Sequence, residues 1–279
     1  MKIRTRQPRD QAIACVLIPS AGRPGVLHTT LTEQRFLDRR STFVGLQNDE
    51  WEAYKLVRRD FPLITYIRYD NPGGSTVVAR ERLRAHVTSL DEFRCYVCAD
   101  DNTYYTEASL TNLVRASLSF KQLTVVGGMQ GSTSMNAKPS RFDEAYVKKS
   151  GFTKSGLRFY KKIGMMFWCF PHSLYSKVKY LEDWGDLRSA GCMEDHSIAL
   201  ACLKKGHTRF VVCMNAPFKK KRFQPGGQGD PRSRATKIGL AWIRLGALYP
   251  EYMSHVRMIW PYAKFYDIAK KAQDEDIPF

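Results

Sequence analysis

Asp100, Asp101 and Asn102 follow one another directly after an apolar run that includes Phe93, Tyr96, Val97 and Cys98. Two carboxylates and an amide oxygen side by side form a hard oxygen donor set suited to Mg2+ or Mn2+, and a cation so held typically carries phosphates. The same three residues are also ordinary turn and cap chemistry, so the cluster alone leaves both readings open. A second acidic pair, Glu194-Asp195, precedes a stretch with helical character from about Ser197 to Lys205. It can cap that helix and complement its dipole, or supply a general base. Pro19-Ser20-Ala21-Gly22-Arg23 offers backbone donors and a guanidinium, the groups that hold an anion.

These residues need a scaffold, and the surrounding pattern describes one. Ala12 to Ile18 is a continuous apolar run of the buried-strand type and ends in the Pro19 turn. Thr29 to Leu37 reads as a helix, Thr42 to Gln47 as a strand, Asp49 to Arg59 as a helix with Trp51, Tyr54 and Val57 at helical spacing, and Ile64 to Tyr69 as a strand. Asn71-Pro72-Gly73-Gly74-Ser75 is a turn. A helix follows from about Thr76 to Thr88, with Val78, Leu83 and Val87 inward and Arg80, Arg82 and Arg84 spread around it. The strand ending at Cys98 comes next, then a helix from Ser109 to Ser119 and a strand from Leu123 to Gly128. Alternation of short strands with helices of about ten residues indicates an α/β fold with a doubly wound, mostly parallel sheet, whose ligands gather at the carboxyl ends of the strands.

The later chain is less regular. Met129 to Lys162 reads as a polar and basic flap facing the substrate, Ile163 to Phe170 as a strand, Phe210 to Met214 as another, Pro217 to Arg234 as a basic, Gly-rich loop, and Thr236 to Leu248 as a helix. The whole is expected to be a single domain over 1–279: a donor half over about 12–128, an acceptor half over about 129–250 and a helical tail over about 251–279.

The chain carries 44 Lys and Arg against 27 Asp and Glu, a formal charge of +17. The excess is concentrated. Lys148, Lys149, Lys154, Arg158, Lys161 and Lys162 stand with no acid among them, and Lys219, Lys220, Lys221, Arg222, Arg232, Arg234 and Lys237 are opposed only by Asp230. Such clusters expect a polyanionic partner, nucleic acid first, with a merely solvated basic face as the plain reading. The seven cysteines lie mostly inside apolar runs and read as reduced core residues. Cys95 and Cys98 form a CxxC, but positions i and i+3 of a strand face opposite ways, which argues against a shared metal or redox role. The basic N-terminus lacks a secretion-signal pattern and no window is apolar for the length of a membrane span, so a soluble, cytoplasmic protein is expected. His196 and His207 are taken as structural.

Read in order, the Pro-Ser-x-x-Arg turn, the Gly-Gly turn with Arg80, the strand with Asp-Asp-Asn and the late Glu-Asp helix start resemble the GT-A class of nucleotide-sugar-dependent glycosyltransferases. More narrowly, VLIPSAGRPGVLHTT, the spaced Glu50 and Tyr54, VVARERLRAH, VCADDNTYY, GCMEDHSIALACLKKGH and PGGQGDPRSR are similar to the TET-associated DNA glycosyltransferases. These are phage enzymes, akin to the base J glucosyltransferase, that decorate hydroxymethylated pyrimidines in DNA. The likeness runs from about Cys15 to about Tyr249.

The resemblance implies that Pro19, Ser20 and Arg23 line a nucleotide pocket, that Arg80 contacts the donor, and that Asp100, Asp101 and Asn102 hold a Mg2+ or Mn2+ ion and the donor phosphates. Relatives usually read Asp-Asp-Asp where this chain has Asn102, so either that amide oxygen coordinates the metal or Asp101 does most of the work. The donor implied is a UDP-sugar and the acceptor 5-hydroxymethylcytosine in double-stranded DNA, glycosylated to protect phage DNA from host nucleases. Asp195 would deprotonate the acceptor hydroxyl for in-line attack with inversion, and Glu194 would orient it. A divalent ion would neutralise charge on the leaving group. Lys219, Lys220, Lys221, Arg222, Arg232, Arg234, Lys148, Lys149, Lys161 and Lys162 would grip DNA phosphates. A GT-A enzyme acting on a surface glycan or lipid-linked acceptor, and an inactive nucleic-acid-binding module, are the competing readings.

Overall fold

The computed structural model describes residues 13–70, 76–120, 123–130, 157–159, 167–180, 194–205, 209–220 and 241–255. In chain order the elements are β1 (Ala14–Ser20), α1 (Pro24–Glu33), β2 (Thr42–Gln47), α2 (Lys55–Asp60), β3 (Thr65–Tyr69), α3 (Thr76–Ser89), β4 (Cys95–Ala99), β5 (Thr103–Tyr105), α4 (Glu107–Ser119), β6 (Thr124–Gln130), β7 (Leu157–Phe159), β8 (Phe167–Pro171), α5 (His172–Tyr175), α6 (Glu194–Lys204) and β9 (Arg209–Lys220). Residues 241–248 are helical. No described helix is long and apolar enough to cross a membrane.

The described strands form one sheet in the order β3-β2-β1-β4-β8-β6-β9-β5, with β7 paired to β9. Strands β3, β2, β1 and β4 are mutually parallel, as the alternating pattern requires. Beyond β4 the sheet is mixed: β8 lies antiparallel between β4 and β6, β9 runs parallel to β6, and β5 and β7 are antiparallel to β9. Strand periodicity divides the core in two. Cys15, Leu17, Phe43, Tyr96 and Cys98 face α3 and α6, while Val16, Ile18, Val44, Leu46, Cys95 and Val97 face α1, α2 and α4. Cys95 and Cys98 accordingly sit in different layers. The six described cysteines are buried, and no disulfide joins any of them. Helices of 10 and 11 residues such as α1 and α6 are marginal alone; burial of Leu27 and Leu31, or of Ile198 and Leu200, stabilises them by roughly 1.5–3 kcal/mol per side chain.

Several local expectations are corrected. The first helix begins at Pro24, whose fixed φ suits the first helical position. It stops at Glu33 because the Gln34 side chain bridges Thr103 O and Tyr105 N at 3.0 and 2.9 Å, and Arg35–Arg39 continues as a 3-10 turn. The expected Asp49 to Arg59 helix is a 3-10 turn, Trp51–Tyr54, followed by α2. On α3 it is Val77, with Leu83 and Val87, that is buried, and Arg80 and Arg84 lie on its buried side while Arg82 is exposed. The α4 helix starts at Glu107, capped by Thr106, whose hydroxyl accepts from Ser109 N–H at 3.0 Å. The strand expected over Ile163 to Phe170 is Phe167–Pro171, with 163–166 outside the described residues. Within the expected flap, Leu157–Phe159 joins the sheet as β7, and 131–156 lies outside the described residues. The strand expected to end at Met214 continues to Lys220.

Candidate functional site

The parallel strands β1 and β4 deliver their carboxyl ends to the same edge, in register from Ala14↔Cys95 to Leu17↔Cys98. Pro19 and Ser20 end β1 buried, and the chain then turns through Gly22, whose φ of +65° is the left-handed conformation that glycine adopts without strain. Glu50 and Tyr54 latch this turn. Gly22 N–H donates to Glu50 Oε2 at 2.7 Å, and Arg23 N–H donates to Tyr54 Oη at 3.1 Å. Burial pushes the Tyr54 phenol up to about 12, so it stays a hydroxyl. Neither residue's helical spacing marks it as a partner of this turn; the pairing of β1 with β2 is what brings them to it.

At the end of β4 the two aspartates take different roles. Asp101 is 0% exposed. Its Oδ2 accepts from Ser20 Oγ at 2.8 Å, its Oδ1 is ion-paired to Arg23 Nη2, and its carbonyl accepts from Thr30 Oγ1 at 2.6 Å. Burial raises its carboxyl pKa to about 6 despite Arg23. Asp100 is partly exposed and pairs through Oδ1 with Arg80 Nη2 from α3 and through Oδ2 with Lys220 Nζ at 2.8 Å from the end of β9. Burial pushes the Asp100 carboxyl up, but Arg80 and Lys220 outweigh it and hold the group below the usual carboxylate range. Asn102 is buried beside them, and a tight turn, Thr103 N–H to Asp100 O at 3.1 Å, leads into β5.

The α6 helix brings the second acidic pair to the same place. Glu194 and Asp195 are its first two residues rather than preceding it, and Glu194 Oε1 stands 3.9 Å from Arg80 Nε. Burial, reinforced by Asp100 and opposed by Arg80, raises the Glu194 carboxyl to about 7. Burial and the neighbouring Glu194 push Asp195 well above the carboxylate range. The pair therefore holds a proton near neutrality and is basic once that proton is lost. His196, next along, is buried edge-on against Trp242 at 5.7 Å, and burial lowers it to about 4, so it is neutral.

Arg23, Arg80, Asp100, Asp101, Asn102, Glu194 and Asp195 are thus gathered at one sheet edge, with Lys220 added. The expectation that Lys219 and Lys220 lie in a basic loop over Pro217 to Arg234 is corrected. Both belong to β9, Lys219 exposed and Lys220 turned to Asp100. Pairing of Thr103 with Lys220 and of Tyr105 with Phe218 extends the strand past the point where a lysine run suggests a loop. Lys221, Arg222, Arg232, Arg234, Lys148, Lys149, Lys161 and Lys162, the 71–75 turn and His207 lie outside the described residues.

No family model and no curated protein sequence matches the chain. Among solved structures, the mannosyltransferase PcManGT from Pyrobaculum calidifontis, in complex with GDP-Man and Mn2+, superposes with a TM-score of 0.60 at 13% identity over 99% of this chain and 78% of its own. S. aureus TarS 1–349 in complex with UDP-GlcNAc gives 0.53 at 10% identity over 96% and 73%. The fold is that of the GT-A glycosyltransferases. The chain spans 40% of the longer S. aureus TarS structure.

In other respects this GT-A edge differs from the expected metal site. Each of the four carboxylate oxygens of Asp100 and Asp101 already has a protein donor: Arg80, Lys220, Arg23 and Ser20. A divalent cation would meet Asp100 and Asp101 against the positive charge of Arg80, Lys220 and Arg23, and Asp101 in particular is an internal brace between β1, α1 and β4. What the GT-A edge does present is positive charge with capacity to spare. Arg23 Nε and Arg80 Nε are buried with no hydrogen-bond partner among the described residues, an arrangement that an incoming anion satisfies.

Proposed function

We propose that the protein transfers a sugar from a nucleoside-diphosphate donor, a UDP-sugar, to a hydroxyl acceptor, and that the acceptor is the hydroxymethyl group of a 5-hydroxymethylpyrimidine in DNA. The observation that carries the transferase reading is the adjacency of two opposite chemistries on a GT-A fold. The buried Arg80 guanidinium, whose Nε has no hydrogen-bond partner among the described residues, lies 3.9 Å from Glu194 of a carboxylate pair whose proton affinity is raised by burial, while Arg23 stands on Asp101.

In this reading Arg23 and Arg80 orient the diphosphate, and the β1 turn, latched by Glu50 and Tyr54, holds the nucleotide end. The acceptor oxygen loses its proton to Asp195 and attacks the anomeric carbon. The bond from that carbon to the phosphate oxygen breaks, and the nucleoside diphosphate leaves with the electron pair. A raised pKa makes Asp195 a stronger base toward an alcohol than a solvated aspartate. Attack opposite the leaving group inverts the anomeric centre. Arg80, between Asp100 and Glu194, couples the anion side of the site to the base side.

The DNA acceptor is supported by the +17 charge and its two dense basic segments. The test is to incubate the full chain with duplexes containing hydroxymethylcytosine, hydroxymethyluracil or neither, together with a panel of UDP- and GDP-sugars, and to analyse nucleosides by mass spectrometry. A hexose or pentose mass on the hydroxymethylated nucleoside alone is the expected result. Donor hydrolysis without transfer to any DNA would sink the DNA acceptor and favour a glycan or lipid-linked one.

A further inference from the structure

We propose that Lys220, delivered to the carboxyl end of β4 by the β9 strand, fills the place of a divalent cation at the donor diphosphate, so that donor binding does not depend on metal. The inference rests on the nucleotide-sugar reading above and adds to it the identity of the charge that meets the phosphates.

The first support is occupancy. Arg80 and Lys220 hold Asp100, and Arg23 and Ser20 hold Asp101, so a cation entering this cluster must share these oxygens against the positive charge of its neighbours or displace one of them. Mg2+ needs near-octahedral oxygen coordination at short distances, and the two cations already paired with Asp100 oppose a further positive charge there. Position 102 supplies a neutral amide oxygen where a further carboxylate would add negative charge to balance a cation.

The second support is how firmly the lysine is brought there. β9 is 12 residues long and pairs with β6, β7 and β5. Its inward residues Ala216 and Phe218 are buried, and Phe218 packs on Phe167 with ring centroids 5.7 Å apart. Thr103↔Lys220 is the terminal pair of the β5 ladder, so Lys220 leaves the sheet beside the Asp100 turn.

The third is accessibility. The Arg80 side chain is 5% exposed and serves Asp100 and Glu194, whereas Lys220 is 32% exposed. An ammonium on a flexible four-carbon stem can pass from Asp100 to a phosphate oxygen without moving the backbone. Of the cations Arg23, Arg80 and Lys220 at this edge, the one most easily exchanged is the lysine.

The test is isothermal titration of UDP and of GDP into the full chain, once with EDTA and once with MnCl2, for the native protein, Lys220→Met and Lys220→Arg, with thermal unfolding recorded for each. The expected result is that native affinity for the preferred nucleotide agrees within about twofold in the two media. Lys220→Met should bind about 10- to 100-fold more weakly in both, the range for one charge-assisted contact, and Lys220→Arg should recover part of the loss. If Lys220→Met melts like the native protein and regains native affinity when Mn2+ is added, the lysine only stands where a metal belongs and the inference is overturned. Native binding seen with Mn2+ and abolished by EDTA overturns it equally. Absence of binding by either nucleotide in both media removes the donor reading itself, and this inference with it.

Discussion

Replacing Asp101 with Ala tests whether this residue is a brace or a ligand. Its side chain is 0% exposed, and the change deletes an ion pair to Arg23 and an acceptor for Ser20 Oγ while the Ser20 bond to Tyr54 at 2.9 Å survives. Removing one partner of a buried ion pair costs about 3–5 kcal/mol. Arg23 is 22% exposed and can recover some hydration, which brings the expected loss to about 2–3 kcal/mol. At about 2–4 °C per kcal/mol for chains of this size class, Tm falls by roughly 4–12 °C. Asp101→Asn keeps an acceptor for the Arg23 guanidinium and the side-chain volume, so its loss is smaller. The assay is thermal unfolding by circular dichroism near neutral pH, in EDTA so that no metal contributes. A metal ligand with no structural duty predicts the opposite pattern, an unchanged metal-free Tm. Melting of Asp101→Ala within about 1 °C of the native protein would therefore refute the brace and reopen Asp101 as a coordinating residue.

Three further outcomes follow from the same geometry. Asp195→Asn keeps size and polarity but removes the base, so kcat should fall about a hundred- to ten-thousand-fold with donor affinity nearly intact; turnover within a few-fold of native takes Asp195 out of the mechanism. Because the working base is the deprotonated form and burial raises both carboxyls of the pair, Glu194 to about 7, kcat/KM should decline with falling pH over a range displaced upward from that of an ordinary carboxylate. A profile flat down to about pH 5 would contradict the raised pair. At Gly128 a Cβ would lie 2.5 Å from Phe167 Cδ1 and 2.7 Å from the Ala216 carbonyl, so Gly128→Ala must push β9 aside at a cost of about 1–3 kcal/mol. Since β9 carries Lys220, UDP affinity should fall together with Tm; a lower Tm with unaltered UDP binding would separate the strand from the site.

Local sequence sufficed for the parts of this molecule whose physics is local. An apolar run bounded by turn residues becomes a strand wherever it is buried, so β1, β2, β3 and β4, and the helices between them, are readable from spacing alone. The opposite facing of Cys95 and Cys98 follows from the two-residue repeat. Parallel strands joined by helices then bring Arg23, Arg80 and Asp100-Asp101 to one edge, because the alternation admits few other topologies. The limits were set at short range too: Pro24 and Gln34 moved the ends of α1 through a fixed φ and a side-chain bridge that spacing does not register.

Tertiary structure decided what depends on neighbours distant in the chain. Adjacent aspartates of the same type became a buried brace and a partly exposed ion-pair hub because Ser20 and Arg23 come from β1 and its turn, while Arg80 and Lys220 come from α3 and β9. The Lys219 to Arg222 run reads as a solvated loop in isolation, since lysines disfavour strands. Ladder bonds to β5, a strand of three residues with almost no signal of its own, extend β9 through Lys220. The raised proton affinity of Glu194 and Asp195 likewise has no sequence signature, because desolvation is a property of what packs around a carboxyl rather than of the residues beside it in the chain.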